Sequence, residues 1–406
     1  MELFDVYPLY DITPVKGEGC YVFDENGKKY LDLYGGHAVI SVGHAHPSYV
    51  KAIQEQASQL GFYSNSIKNP LQQELADKLE KVSGVQDYAL FLCSSGAEAN
   101  ENALKVASFH TGKDRVIYFE NAFHGRTSGV VAITDNESIK APFNLGHKAT
   151  KLAFNDTESL KNEIKKGDVA AVIFEIIQGV GGLDEADSDF YRSAAELCKE
   201  NQVMLIADEV QSGYGRTGDF FAFQKHGIRP DIITMAKGMG NGFPIGGILT
   251  DTNIQAKYGM LGTTFGGNHL ACAAGISVLD IIQQEKLMEN AREVSEYVKA
   301  EAAKIPDIKK IKGRGLMIGL EFDFEIASLR KELLLEHQVF TGASSNRKLL
   351  RILPPLNITR EHFESFFSAI KKVLKNQQID KIASSCPEAS GDSASLQNLK
   401  SKILRS

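Results

Sequence analysis

Three absences narrow what this 406-residue chain can be. There is no basic excess. Lysine and arginine number 45 against 51 aspartates and glutamates, a formal charge of −6, and that balance argues against a general nucleic-acid surface. Cysteine is scarce and without pattern. Cys20, Cys93, Cys198, Cys272 and Cys386 form no Cys-x-x-Cys pair and no framework spacing, which favours reduced thiols and a cytoplasmic protein. Long apolar runs are missing, so no segment is expected to span a bilayer. The opening residues, Met1-Glu-Leu-Phe-Asp-Val-Tyr7, carry neither the basic nor the apolar region of an export signal. Phosphate-loop and nucleophile-elbow patterns of the GxxxxGK[ST] and GxSxG type are also absent. What is present is globular: 43% hydrophobic and 24% charged, in a chain long enough for two domains around one cleft.

Along the chain the periodicity changes three times. Residues 1–46 read as an extended arm with a hairpin, in which Asp24-Glu-Asn-Gly-Lys28 separates short apolar strands. Over 47–275, helical patterns at 48–60, 71–82, 97–110 and 189–201 alternate with strand-like runs. The runs fall at 89–93, 115–119, 129–134, 169–177, 203–207 and 231–236. Such alternation predicts an α/β fold, a mostly parallel sheet covered on both faces, with ligands beyond the carboxyl ends of its strands. Residues 276–376 read as a smaller α+β domain: a long helix, strands near 315–322 and 349–353, and a closing helix at 360–375. Residues 377–406 hold a Ser-rich linker from about 384 and a short amphipathic tail at 396–405.

The most informative run is Asp231-Ile-Ile-Thr-Met-Ala-Lys237-Gly-Met-Gly-Asn-Gly-Phe-Pro-Ile-Gly-Gly247. It is an apolar strand ending in one lysine, with a glycine-rich loop behind it. Burying an ammonium is unfavourable, so such a lysine loses its proton readily and becomes an amine able to react with an aldehyde. The glycines allow backbone to approach a bulky ligand. Upstream, Val203-Met-Leu-Ile-Ala-Asp208 is a second strand, ending in a carboxylate. An amine and a carboxylate at adjacent strand ends suit pyridoxal phosphate. The lysine would hold its aldehyde, and the carboxylate would keep its ring nitrogen protonated.

Two further strand ends carry suitable chemistry. Ser94-Ser-Gly96-Ala97-Glu98 opens a helix whose first N–H groups could take a phosphate. Phe123-His-Gly-Arg126-Thr127 offers a ring to stack and a guanidinium to grip a carboxylate. Each has a bland alternative: a common strand-to-helix turn, a core phenylalanine, a surface arginine, an N-capping Asp208, a snorkelling Lys237. Four such segments at successive strand ends make coincidence a poor account. His37, His44 and His46 suggest a metal, yet no third ligand of suitable spacing follows, and no metal is expected.

This order of segments resembles the class III pyridoxal phosphate aminotransferases of fold type I, in particular their ornithine and acylornithine branch. The resemblance runs from about residue 7 to 375. It is carried by Lys16-Gly-Glu-Gly19, Gly43-His-Ala-His-Pro47, Ser95-Gly-Ala-Glu-Ala-Asn100, Phe123-His-Gly-Arg-Thr127, Asp208-Glu-Val-Gln-Ser-Gly213, Ala236-Lys237-Gly and Gly262-Thr-Thr-Phe-Gly-Gly-Asn268. The resemblance implies that Lys237 carries the cofactor and shuttles the proton, with Asp208 on the pyridine nitrogen. Gln211 is implied to bond the ring hydroxyl, Phe123 to stack on the ring, and Gly96 and Ala97 to hold the phosphate. Thr264 is implied to reach the phosphate of a neighbouring subunit, making the active unit a homodimer with composite sites. Arg126 is implied to clamp the substrate carboxylate near Thr263, and Arg351 to be a second carboxylate-binding arginine.

The implied reaction moves the δ-amino group of N-acetylornithine, or of N-succinylornithine, to 2-oxoglutarate, giving the semialdehyde and glutamate in arginine biosynthesis. Ornithine or 4-aminobutyrate aminotransfer, an aminomutase or decarboxylase, and a non-catalytic cofactor-binding protein are the alternatives. Two departures stand out. Val180 occupies a position where the family carries a glutamate that pairs with the second arginine, and His37 lies where ornithine aminotransferases carry tyrosine. A buried arginine stripped of its acid costs about 3–5 kcal/mol. Arg351 is therefore expected to be reached by water or a carboxylate, which would favour a succinyl donor.

Overall fold

The structure, a computed structural model, describes residues 1–384. The expected linker and amphipathic tail lie outside the described residues. The chain opens with β1 (Pro14–Glu18), β2 (Tyr21–Asp24) and β3 (Lys29–Asp32), followed by one distorted turn, α1 (Gly35–Ala38), with Gly36 and His37 at positive φ. Helices α2 (Pro47–Gln59) and α3 (Pro70–Ser83) each begin on a proline, whose missing N–H would be unsatisfied at that position anyway. There follow β4 (Tyr88–Cys93), α4 (Gly96–Thr111), β5 (Arg115–Phe119), α5 (Ser128–Ala132), β6 (Ala149–Leu152), α6 (Thr157–Ile164), β7 (Val169–Glu175), α7 (Ser188–Glu200), β8 (Met204–Asp208), β9 (Ile232–Met235) and β10 (Gly246–Asp251). The chain closes with α8 (His269–Gln284), α9 (Leu287–Ala302), β11 (Lys310–Arg314), β12 (Met317–Glu321), α10 (Ala327–Leu335), β13 (Val339–Phe340), β14 (Leu349–Ile352) and α11 (Arg360–Ser384).

Seven strands form the central sheet in the order β4-β10-β9-β8-β7-β5-β6. All run parallel except β10, which is antiparallel to both neighbours. Every residue of β7 and β8 is buried, as expected for central strands covered on both faces. Because six strands share a direction, the carboxyl ends of β4, β5, β7, β8 and β9 lie along one edge. Two smaller sheets complete the fold. One is β11-β12-β14. The other joins β1-β2-β3 to β13 in parallel register, Val339 opposite Leu31, so the N-terminal hairpin and the C-terminal segment share a sheet.

Several local expectations need correction. Residues 129–134, read as a strand from Val130, Val131 and Ile133, contain most of the short helix α5. Tertiary contact overrides β-propensity here. The Glu101 carboxylate on α4 accepts from the N–H groups of Gly129 (2.9 Å) and Val130 (3.1 Å) and from the Thr127 hydroxyl (2.8 Å), capping a helix start. Strand β10 begins inside what reads as a glycine loop, and β6 and α6 are additional elements. Residue 275 falls inside α8, which packs on α2 and α3.

Candidate active site

The five strand ends enclose a cavity of 410 Å³. Its wall includes Gly96, Ala97, Phe123, Arg126, Asp208, Gln211 and Lys237. Seven of the sequence-derived site residues therefore meet in one place. Arg351, Thr263 and Thr264 do not line it.

The end of β9 presents the lysine. Lys237 adopts a left-handed φ of 48°, uncommon for residues other than glycine, asparagine and aspartate, and such backbone strain is often found at functional sites. Burial pushes its ammonium down from the usual lysine range. Asp208 and Glu175 oppose that shift, and the Arg351 cation adds to it. The result is an amine predisposed to lose its proton.

One strand over, Asp208 is 3% exposed and held on all sides. Its Oδ2 accepts from His124 Nδ1 (2.7 Å) and Asn100 Nδ2 (2.8 Å), and its Oδ1 from the Val210 N–H (3.0 Å). The N-capping alternative fails, because turn residues and no helix directly follow β8; Asp208 closes that turn while also facing the cavity. Asn100 Nδ2 also bonds the His124 carbonyl (2.8 Å), so histidine and carboxylate are oriented as a unit. His124 and Asn100 stand in the segments after β5 and β4, where the local sequence gives neither a role. Only the three-dimensional pairing of the strand ends reveals one.

Glu175 was missed entirely, although the register places it directly opposite Asp208. It is buried, and its two oxygens serve two loops: the Phe123 N–H (3.0 Å) and the Gly179 N–H (2.8 Å). Burial lifts its pKa to about 7. Nearby His124 opposes that rise and Asp208 adds to it. Replacement Glu175→Gln swaps one acceptor oxygen for an N–H donor facing another N–H. Loss of a hydrogen bond to a charged group costs about 1.5–3 kcal/mol, so kcat/KM should fall roughly tenfold to a hundredfold, measurable in steady state. The linkage has a definite sign. A carboxyl raised from 4.5 to about 7 contributes stability that is complete below pH 4.5 and lost as pH rises through about 7. Denaturant titrations of Glu175→Gln should show a flatter dependence on pH across that window; an unchanged slope would count against it.

The cavity suits pyridoxal phosphate. Gly96 and Ala97 form the first turn of α4, whose N–H groups have no intrahelical partners, and the Ser95 hydroxyl caps the turn by accepting from the Glu98 N–H (3.2 Å). A Cβ at Gly96 would meet the Val210 side chain at 2.7 Å, so any larger residue there would have to displace it. Gln211 Oε1 is buried without a donor among the described residues, and a ring hydroxyl would supply one. Phe123 is half-buried in the wall, and Arg126 stands exposed at the rim.

Arg351 corrects an expectation. Far from being reached by water or a carboxylate, it is 3% exposed, and its Nη1 donates to the Gly179 carbonyl at 2.5 Å. No carboxylate lies within 4 Å of it among the described residues, and its Nε is unpartnered. The premise that favoured a succinyl donor falls with it. Thr263 lines a different hollow with Asn65 and Gln72, and Thr264 is exposed. The three histidines disperse: His44 bonds Asp32 (2.8 Å), His46 bonds Glu285 (2.8 Å), and His37 sits against the Tyr34 hydroxyl. Among the described residues no cluster could hold a metal ion, and no helix is long and apolar enough to cross a membrane.

Comparison with known proteins gives the same direction. Residues 6–374 match the family model described as aminotransferase class-III. The chain is 40% identical over 379 residues to the acetylornithine aminotransferase of Bacillus subtilis, covering 92% of this chain and 97% of that protein. Among solved structures, the acetylornithine aminotransferase of Elizabethkingia anophelis superposes with a TM-score of 0.80 at 31% identity, covering 92% and 96%. The ornithine aminotransferase of Toxoplasma gondii, solved with partial occupancy of PLP at its active site, gives 0.83 at 29% identity, covering 91% and 92%.

Proposed function

The chain belongs to the class-III aminotransferases, and from that membership we propose that it moves the δ-amino group of N-acetylornithine to 2-oxoglutarate. The observation that carries the reading is the convergence of Lys237, Asp208 and Arg126 on one cavity at the strand ends. Pyridoxal 5′-phosphate, the cofactor of the family, supplies an aldehyde that exchanges amino groups and a pyridinium that takes up the electrons freed when a C–H bond breaks. Gly96 and Ala97 would hold its phosphate, Phe123 would cover its ring, and Gln211 would bond its hydroxyl. Asp208, fixed by His124 and Asn100, would set a negative charge against the ring nitrogen. Lys237 would remove the proton from the reacting carbon and return it on the neighbouring one.

Charge supports the acylated donor. Among the described residues the only acids in the cavity wall are Glu175 and Asp208, and both are engaged by internal donors. Free ornithine brings a second ammonium that finds no free carboxylate there, while the Arg126 cation repels it. Acylation removes that charge and leaves the carboxylate for Arg126. Steady-state comparison should place N-acetylornithine at least roughly tenfold ahead of ornithine in kcat/KM, the value of one charged contact of about 1.4 kcal/mol. Parity, or ornithine ahead, would overturn the donor assignment. N-succinylornithine belongs in the same comparison, with no advantage expected now that Arg351 is enclosed.

The homodimer is part of the proposal. Thr264 is exposed and absent from the cavity wall of its own chain, and the next residue, Phe265, forms an exposed aromatic pair with Phe62, 5.5 Å between centroids. Mixing inactive Lys237→Ala subunits with inactive Thr264→Glu subunits should recover part of the activity, since one hybrid site carries neither defect. Demonstrated subunit exchange without recovery would confine Thr264 to its own chain.

A further inference from the structure

Gln211 stands in a turn that is gripped from behind by a cation without an acid. Arg216, further along the same turn, is 2% exposed, and among the described residues no carboxylate lies within 4.0 Å of it. Three carbonyls take its guanidinium instead, each from a different stretch of chain. Nη1 donates to Leu316 (3.2 Å), in the turn between β11 and β12, and to Pro354, just past β14. Nη2 donates to Ile40 (3.5 Å), just past α1. A buried cation held by neutral dipoles is a poor device for stability alone, since an apolar side chain of similar volume often serves as well. What a planar fork of donors adds is geometry: it fixes how three stretches of backbone stand to one another.

One of those stretches also holds Gln211. The His37 carbonyl accepts from Gln211 Nε2 (3.3 Å), while Oε1 stays buried without a donor among the described residues. Residues 40–42 are anchored in turn to the loop behind Lys237. The Ser41 hydroxyl donates to the Gly238 carbonyl (2.7 Å), and the N–H groups of Ser41 and Val42 share Asn241 Oδ1 (2.8 and 3.0 Å). The other side of the seam is as close. The Leu316 N–H donates to the Arg216 carbonyl (2.9 Å), and a Cβ on Gly315 would stand 2.4 Å from the Thr217 carbonyl carbon. A second arginine crosses in the opposite direction. Arg314 donates to Asp219 (3.1 Å), Glu185 (3.0 Å) and the Ala222 carbonyl (3.0 Å), all of them outside residues 37–42.

We propose that Arg216 is a positioning residue for the cofactor contact made by Gln211. It holds residues 37–42 against the turn after β8, and so fixes the Gln211 amide with its oxygen toward the ring hydroxyl. The role deepens the transaminase reading and rests on its cofactor and Gln211 assignments, though not on the amino donor. Without Arg216 the His37 carbonyl loses its tie to the turn, and the amide loses the partner that orients it. An acceptor on the ring hydroxyl favours its protonated form, so displacement of the amide makes the hydroxyl ionise more readily. The pH at which the bound cofactor changes its visible absorbance therefore reports where the amide stands.

Two titrations read this without an amino donor: pyridoxal phosphate into the cofactor-free protein, and pH against visible absorbance in the loaded one. Arg216→Met should bind cofactor roughly tenfold more weakly. Its absorbance midpoint should move by about one pH unit, in the direction that Gln211→Ala moves it. The double variant should move no further than Gln211→Ala alone, because both changes remove one contact. Arg314→Met breaks the same seam away from residues 37–42. It should lower the denaturant midpoint and leave the absorbance midpoint and cofactor affinity within about twofold of the parent. If Arg216→Met does not fold, Arg216→Lys takes its place in the cycle, since one nitrogen cannot serve three carbonyls. Shifts that add in full in the double variant, or an Arg314→Met shift as large as that of Arg216→Met, would reduce Arg216 to a structural tie and overturn the proposal. No shift in Gln211→Ala would overturn it together with the ring-hydroxyl contact. If N-acetylornithine proved to be no substrate while the cycle behaved as stated, the donor assignment would fail and the role of Arg216 would stand.

Discussion

Replacement of Lys237 by alanine should leave a folded protein that binds cofactor and transfers essentially no amino groups. Two functions of one atom would be lost together. Among the described residues Lys237 Nζ is the only amine in the cavity wall, so no other group there could hold the aldehyde covalently. It would also serve as the base, since the Asp208 and Glu175 carboxylates are committed to internal donors and His124 Nδ1 is held by Asp208. Removal of a positioned general base alone costs about 10²–10⁴-fold. Residual binding should persist, because the first turn of α4, Gln211 and Asp208 are untouched. Borohydride reduction supplies the structural check: it should fix the cofactor to a peptide containing Lys237 in the parent and to none in the variant. Turnover by Lys237→Ala within tenfold of the parent would remove the residue from the chemistry.

The legibility of this site from sequence divides along a physical line. Lys237, Asp208, Gly96 and Phe123 could be singled out because each stands at or shortly after the end of an apolar strand, and parallel strands bring their carboxyl ends together. A one-dimensional reading cannot see which strands are neighbours. The pairing of β7 with β8 sets Glu175 beside Asp208, and nothing in the local pattern announces it. His124 and Asn100 lie 84 and 108 residues from Asp208, and their role exists only once β5, α4 and β8 are assembled. Local propensity misled at 129–134 for the same reason, since the acid that starts α5 comes from Glu101 on another helix. Strand β10 was hidden by its glycines. Gly246 and Gly247 are there because backbone passes close by: a Cβ on either would stand 2.6 Å or 2.9 Å from a neighbouring carbonyl oxygen. Arg351 marks the opposite error. Its approach to a carboxylate was argued from a missing acid, yet a backbone carbonyl, invisible to any reading of side chains, fills the vacancy.

Asp208→Asn should separate binding from catalysis. The amide keeps the shape of the carboxylate, so β8, the turn at Val210 and the cofactor cradle should survive, and the variant should still take up cofactor. The negative charge proposed to face the ring nitrogen would disappear, and with it the preference for a protonated ring able to take up electrons. Removal of one preorganised electrostatic partner of a developing charge costs about 10²–10³-fold in kcat. The surroundings make asparagine a poor substitute here. His124 Nδ1 and Asn100 Nδ2 both point at Oδ2, so an amide must either present its oxygen to both and turn its NH2 toward the Val210 N–H, or meet two donors with a third. Either choice leaves at least one buried donor unpaired, a penalty of about 1–3 kcal/mol. The loss should therefore appear in kcat at saturating substrate, with cofactor content near the parent value and a modest fall in stability. His124→Asn, which keeps the charge of Asp208 and removes its orienting donor, should be milder than Asp208→Asn. Stopped-flow measurement of a single half-reaction isolates the step. If Asp208→Asn lost its cofactor, yet each loaded site still reacted at close to the parent rate, Asp208 would be an anchor for the ring and the electron sink would owe nothing to its charge.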